Sequence, residues 1–239
     1  MTAASAGSMD VLDLFPRSIL KGELDPLLLK ALQKLATRVL ANPESSPDAS
    51  YKLAGQLSQQ RELGPGYPEV QELCNNHLLP GCERWIRHVI DRQPPQGRGP
   101  WAQGRYRLQM IDLWLNSQQA GDYNPTHTHG GSLSGVLYLQ VPEQISENSF
   151  DGQICFHGPE DWHIQSFRTG MAHYVCPVAG EFYVFPAWQP HSVAPFRGEG
   201  ERWSVAFNVM AIPNQPENTS PSGKRNVSLS SGRPASRGF

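Results

Sequence analysis

Absences narrow the class of this chain before any motif is read. No stretch approaches the roughly eighteen consecutive apolar residues of a membrane-spanning helix. The opening residues, MTAASAGSMD, hold no basic segment followed by an apolar run, so no secretory leader is expected, and Met9 is a second candidate start. Charge of one sign is missing too: 20 basic against 22 acidic residues leave a net charge of −2. No overall field therefore draws the protein to nucleic acid or to an anionic membrane, and neither partner is expected. The four cysteines, Cys74, Cys82, Cys155 and Cys176, form no CxxC or CxxxC pair. They read as free thiols in a reducing, cytoplasmic compartment. A G-X-Y period is absent, although 22 glycines and 21 prolines among 239 residues are many. Each interior proline would break a helical ladder, so this content disfavours a helical bundle and suits a turn-rich β architecture. A chain of this length can bury a sizeable core, and one domain is expected.

The order of patterns along the chain supports a mainly β protein with an N-terminal helical layer. Asp25-Pro26 is an N-cap followed by proline at the first helical position. Leu28, Leu32, Leu35 and Val39 then share one helical stripe, which Asn42-Pro43 ends. Residues 44–66 are polar and read as a loop with a short irregular piece. Helical spacing returns over 68–78, is expected to break at Pro80-Gly81, and resumes through Trp85, Ile86, Val89 and Ile90. After the linker PPQGRGP at 94–100 the period becomes two. Residues 106–115, 133–141 and 180–186 read as strands separated by Gly/Pro/Asn/Asp clusters. In RWSVAFNV, residues Arg202, Ser204, Ala206 and Asn208 share one strand face, and Trp203, Val205, Phe207 and Val209 the other. This layout predicts a double-sheet jelly roll with helices on one side. The expected divisions are a flexible start at 1–9, a helical support region at 10–100, a β core at 101–212 and a tail at 213–239. The tail is Ser-, Pro-, Asn- and Gly-rich and is expected to be disordered.

Eight histidines occur, and His127 and His129 stand out among them. Residues at i and i+2 of a strand point to the same face, so both imidazoles can reach one ion. They lie in GDYNPTHTHGG, a strand end flanked by turn residues. A third imidazole, His191, sits in FPAWQPHSV on a late strand that a jelly roll can bring beside an early one. Arg202 follows on the polar face of its strand. A guanidinium turned into a pocket needs an anion, and its planar fork fits a carboxylate; a salt bridge to Glu199 or Glu201 is the plain alternative. His157, His163 and His173 lack strand-pair spacing and rank below as metal ligands.

The segments NPTHTHGGSLSGVLYL and GEFYVFPAWQPHSVAP…GEGERWSVAFN resemble the Fe(II)- and 2-oxoglutarate-dependent oxygenases of the prolyl-hydroxylase-like branch. They are most similar to a bacterial and phage group with the pattern N-x-x-H-x-H…SGV-x-Y…FP-x-W-x-x-H-x-V-x-P…eR-x-S-x-x-FN. The resemblance is dense over 106–209, and DVLDLF at 10–15 also fits that group's start. It implies a double-stranded β-helix and an Fe(II) site at His127, His129 and His191. Arg202 would grip the distal carboxylate of the cosubstrate 2-oxoglutarate, Tyr138 and Ser134 would line its pocket, and Asn208 would lie near the iron. Trp114, Trp188 and Phe185 are candidates for dry walls. The activity implied is O2-dependent hydroxylation of a small-molecule or peptide substrate, with release of succinate and CO2. One position departs from the wider superfamily, which has Asp or Glu where this chain has His129. Either three imidazoles bind the metal, or a carboxylate such as Asp112 or Asp122 replaces His129. Two further readings stay open: a cupin-type three-His dioxygenase that uses no 2-oxoglutarate, and a non-catalytic jelly-roll binding protein. The 142–179 stretch reads as an irregular insertion that holds no recognisable substrate signature.

Overall fold

The computed structural model describes residues 17–52, 55–98, 102–158 and 172–214. The readings of DVLDLF, of His163 and of the tail beyond residue 214 lie outside these residues. Helix α1 (Pro26–Ala41) starts where the sequence predicts: the Asp25 carboxylate accepts from Leu27 N at 2.8 Å, and Pro26 opens the first turn. Its buried stripe is Leu28, Leu32, Leu35, Ala36 and Val39. Helices α2 (Pro68–Leu73) and α3 (Leu79–Arg92) follow. The expected break at Pro80-Gly81 does not occur. A π turn over Cys74–Leu78 joins α2 to α3, with Leu79 N–H donating to Cys74 O. The widened turn accommodates the Pro80 ring, which a regular ladder would press against the carbonyl four residues earlier. Gly81 then lets α3 lie close on the sheet, since a Cβ there would stand 3.1 Å from the Phe182 ring.

Among the described residues ten strands build two antiparallel sheets: β1 (Leu20–Glu23), β2 (Gln59–Glu62), β3 (Tyr106–Gln118), β4 (Asn124–His127), β5 (Leu133–Gln140), β6 (Ile154–His157), β7 (Ala172–Val175), β8 (Glu181–Pro186), β9 (His191–Val193) and β10 (Arg202–Pro213). The larger sheet runs β1-β8-β5-β10-β3-β2 and the smaller β4-β9-β6-β7. Together they form the expected jelly roll, with the helices on one side. Two features of the N-terminal region differ from a purely helical support, because β1 and β2 add to opposite edges of the larger sheet. β2 reads QQRE, with no apolar alternation to announce it; backbone pairing with β3 makes the strand. The described parts of the 142–179 stretch are also more regular than its composition suggests. β6 pairs with β9 and β7 with β6, so this stretch supplies half of the smaller sheet.

The main core lies between the helices and the outer face of the larger sheet, where Leu32, Leu35 and Leu73 meet Leu115, Leu137, Val205 and Phe207. On β3 and β10 the apolar residues take this face, which turns the alternate polar residues inward between the sheets. Close approach at the centre depends on Gly135: a Cβ there would run into the Phe207 ring and the Tyr183 carbonyl oxygen. Overpacking of this kind costs about 1–3 kcal/mol. Gly135→Ala is therefore expected to lower the urea midpoint by a corresponding amount, and an unchanged midpoint would contradict this packing.

Candidate active site

The backbone pairing of β4 with β9 sets His127 directly opposite His191, and His129 follows two residues on. The ring centroids of His127 and His191 are 4.3 Å apart, those of His127 and His129 4.8 Å, and those of His129 and His191 5.1 Å. One nitrogen from each ring lies within 4.8 Å of the others. Among the described residues this is the one such cluster of three metal-ligating side chains. Two rings are held by backbone. His127 Nδ1 donates to Pro125 O at 2.7 Å and His191 Nδ1 to Gln189 O at 2.9 Å, which leaves each Nε2 as a lone-pair donor. His129 Nε2 lies 3.3 Å from His191 Nε2. Asn124, whose side chain was not singled out from sequence, brings Nδ2 to 3.3 Å from His127 Nε2.

Burial keeps these imidazoles neutral. Desolvation, reinforced by His127, takes His191 down to about 3. Desolvation and the neighbouring His127 take His129 to about 4, against an opposing pull from Asp112. Desolvation also lowers His127, opposed by its bond to Pro125. Neutral imidazole is the form that binds a metal.

The cluster opens into a cavity of about 560 Å³ between the two sheets. Trp114 and Phe185 form part of its wall; Trp114 lies 6.1 Å from the His129 ring and Phe185 4.8 Å from the His191 ring, centroid to centroid. Trp188 is not a wall. It is 59% exposed and stacks under the Arg17 guanidinium at 5.5 Å. A larger hollow of about 720 Å³ lies between α3 and the start of β3, and no described imidazole or thiol lines it.

Arg202 lines the same cavity and is only 3% exposed. Its two terminal nitrogens donate to Gly152 O and to Gln118 Oε1, and its Nε is buried with no partner. Both partners are neutral, so among the described residues the guanidinium has no counter-charge; burial lowers its pKa. The salt bridge to Glu201 does not form, because that carboxylate accepts from Ser117 and Trp203 instead. The Tyr138 ring lies 5.7 Å from the guanidinium, and burial pushes its phenol up to about 12, so it stays a neutral donor. Ser134 is placed on the same strand face as Tyr138, but its hydroxyl donates to Phe207 O at 3.2 Å and it is not among the cavity-lining residues. Asn208 lines the cavity beside Asp112.

Of the two carboxylates considered in place of His129, Asp122 is spent on a loop. It accepts from Ser58 N, Ser58 Oγ and Gln119 N and does not line the cavity. Asp112 does line it. His157 lies outside the cluster, with Nε2 at 2.8 Å from Ser192 Oγ, and His173 is exposed on β7. Sequence reasoning passed over Asn116, Gln118 and Gln60. The signal was there for the first two: Asp112, Trp114, Asn116 and Gln118 alternate with Leu113 and Leu115 along β3.

Comparison with known proteins agrees with this arrangement. Residues 112–208 match the family described as "Putative 2OG-Fe(II) oxygenase". Among solved structures, a prolyl-4-hydroxylase from Pseudomonas putida aligns over 84% of this chain and 94% of its own, at 21% identity and a TM-score of 0.52. The non-haem α-ketoglutarate-dependent epimerase SnoN from nogalamycin biosynthesis aligns over 90% of this chain and 91% of its own, at 17% identity and a TM-score of 0.55. SnoN in complex with Fe3+, α-ketoglutarate and nogalamycin RO gives 17% identity and a TM-score of 0.52 over 90% of this chain and 92% of that one. No curated protein matches. The family match thus spans β3 to β10, and the solved structures share the jelly-roll fold over 84–90% of this chain.

Proposed function

We propose that this protein is an Fe(II)- and 2-oxoglutarate-dependent oxygenase in which His127, His129 and His191 hold the iron, Arg202 anchors the distal carboxylate of 2-oxoglutarate, and the reaction is a hydroxylation releasing succinate and CO2. One observation carries the reading: three neutral imidazoles converge in the cavity that also holds a buried guanidinium without a counter-charge. The donor set suits a first-row divalent metal, since imidazole nitrogen is an accepted ligand type for iron. When bound, the iron supplies the oxidising chemistry with O2 and the keto acid. The chain's own residues do the rest. Pro125 O and Gln189 O hold two imidazole rings in register. Arg202 offers a fork to the carboxylate, Tyr138 a neutral hydroxyl, and Trp114 with Phe185 an apolar wall that excludes water. The uncompensated charge of Arg202 favours a keto-acid cosubstrate over the cupin-type reading, which leaves that charge unexplained.

The expected result with Fe(II), 2-oxoglutarate and ascorbate is slow succinate release even without a primary substrate. Loss of that release in a His127→Ala, His191→Ala double variant is also expected, and equal release from the double variant would contradict the assignment. Among the described residues no helix is long and apolar enough to cross a membrane. A cytoplasmic location is part of this proposal, supported by four cysteines that are all free thiols.

The depressed imidazoles also set a pH dependence. The unfolded chain protonates these residues near their ordinary pKa of about 6.5, whereas native His129 and His191 resist until about 4 and about 3. Metal-free stability should thus be complete above pH 6.5 and fall as pH drops towards 4. The slope is about 1.4 kcal/mol per pH unit for each extra proton bound by the unfolded state. Urea unfolding between pH 7.5 and 4.5 measures it, and His191→Asn should make the slope shallower by about one proton. An unchanged slope would contradict the neutral-cluster account.

A further inference from the structure

Carboxamides make up much of the polar wall of the cavity. Among the described residues five line it: Gln60 on β2, Asn116 and Gln118 on β3, Asn124 on β4 and Asn208 on β10. Three of them, Gln60, Asn124 and Asn208, keep a buried side-chain oxygen with no described partner. Gln60 and Asn124 belong to one side of the cavity. Gln56 N donates to Tyr123 O at 3.0 Å and Tyr123 N to Gln56 O at 2.9 Å, which ties the chain before β2 to the chain before β4.

Gln60 is 3% exposed, and its Nε2 donates to Asn116 Oδ1 at 2.8 Å while Oε1 has no described partner. Asn124 repeats the pattern beside the imidazole cluster. His127 Nδ1 donates to Pro125 O, so His127 Nε2 carries the lone pair and the amide atom 3.3 Å from it is the donor, Asn124 Nδ2. The other atom, Asn124 Oδ1, is the buried oxygen without a partner. A buried acceptor is costly until a donor reaches it. A metal held by His127 Nε2 would also take the acceptor of Asn124 Nδ2, leaving that carboxamide with both a donor and an acceptor to satisfy.

These atoms select the chemistry of a partner. A carboxylate, ester or ether only accepts and serves neither oxygen. An ammonium only donates, leaves Asn124 Nδ2 unserved beside a bound metal, and brings a buried charge to neutral amides. A hydroxyl or an amide both donates and accepts and carries no charge. We propose that Gln60 and Asn124 form a subsite for an uncharged hydroxyl or amide group of the primary substrate. The proposal rests on the reading that the imidazole cluster holds the metal and Arg202 the 2-oxoglutarate.

The test compares N-methylbutanamide with its ester isostere methyl butyrate, and 1-pentanol with n-butyl methyl ether, on the full-length protein; n-pentylamine is the charged control. Binding is measured by NMR titration on the metal-free protein and on the protein loaded with Co(II) and 2-oxoglutarate. In the loaded protein, broadening by Co(II) reports nearness to the metal. The amide or the alcohol should bind about tenfold more tightly than its acceptor-only counterpart, and more tightly than the amine. Which pair shows the larger ratio tells an amide substrate from a hydroxylated one. Gln60→Met and Asn124→Leu, each close in size to the residue replaced, should each bring the ratio towards one. Ratios near one for both pairs in the wild type, a ratio that survives either substitution, or tightest binding by the amine overturns the proposal. So does a variant that weakens every probe by the same factor. The preference in metal-free protein, with no Co(II) binding and no succinate release, would keep the subsite and overturn the metal and 2-oxoglutarate reading. Co(II) binding and succinate release without the preference would do the reverse.

Discussion

Arg202→Ala is expected to raise the 2-oxoglutarate concentration needed for half-maximal succinate release by roughly two to three orders of magnitude. The basis is the state of the guanidinium in the structure, buried to 3% exposure with Gly152 O and Gln118 Oε1 as its only acceptors among the described residues and its Nε unpaired there. Holding a charge in that setting costs several kcal/mol unless an anion arrives. A carboxylate seated on the fork removes that penalty as it binds, and truncation of one member of a buried charge pair typically loses about 3–5 kcal/mol. Arg202→Lys should fall between wild type and Ala, because a point charge remains but the planar two-bond geometry does not. A second readout separates cosubstrate binding from general damage. Ligands that bind the native state raise the unfolding midpoint, so 2-oxoglutarate should stabilise the wild type and leave Arg202→Ala unmoved. Equal stabilisation of both proteins would place the cosubstrate elsewhere.

The second large effect is loss of metal. His127→Ala and His191→Ala should each abolish tight binding of Fe(II), and of Co(II) as its spectroscopic substitute. Each removes a ring whose other nitrogen is already fixed by a backbone carbonyl. His129→Ala decides the ligand set. If His129 binds the metal, its removal should weaken affinity by more than about 100-fold, beyond the 10- to 100-fold typical of losing an outer partner. Near-normal affinity in His129→Ala, together with loss in Asp112→Ala, would instead make Asp112 the third ligand. His129→Asp restores the carboxylate pattern of the wider superfamily and should still bind metal. Its 2-oxoglutarate affinity should drop, because the added negative charge lowers the net charge that attracts the keto acid.

Much of this site was legible because strand alternation is a strong geometric rule. His127 and His129 at i and i+2, and Arg202 through Asn208 on one face of β10, needed no tertiary information to be grouped. The structure adds what alternation cannot supply, namely which strands are neighbours. His191 meets His127 because β9 pairs with β4, a contact across more than sixty residues of sequence. Other features were hidden for local reasons. β2 has no apolar pattern and exists through its pairing with β3. Pro80 looked like a helix end because sequence rules assume a regular ladder, and the π turn before it relaxes that ladder. β6 and β7 lay in a stretch rich in turn formers, and their strands are only four residues each. Trp188 shows the limit of composition, since an aromatic residue three positions before a site histidine faces outward here.

The most direct test of the central claim is the visible absorption of the protein under anaerobic conditions on addition of Fe(II) and then 2-oxoglutarate. Chelation of ferrous iron by the keto acid in this cavity predicts a metal-to-ligand charge-transfer band. The band should need both additions, vanish in the His127→Ala, His191→Ala variant, and require far more 2-oxoglutarate in Arg202→Ala. Protein that binds Fe(II) stoichiometrically but develops no band at saturating 2-oxoglutarate would contradict the account.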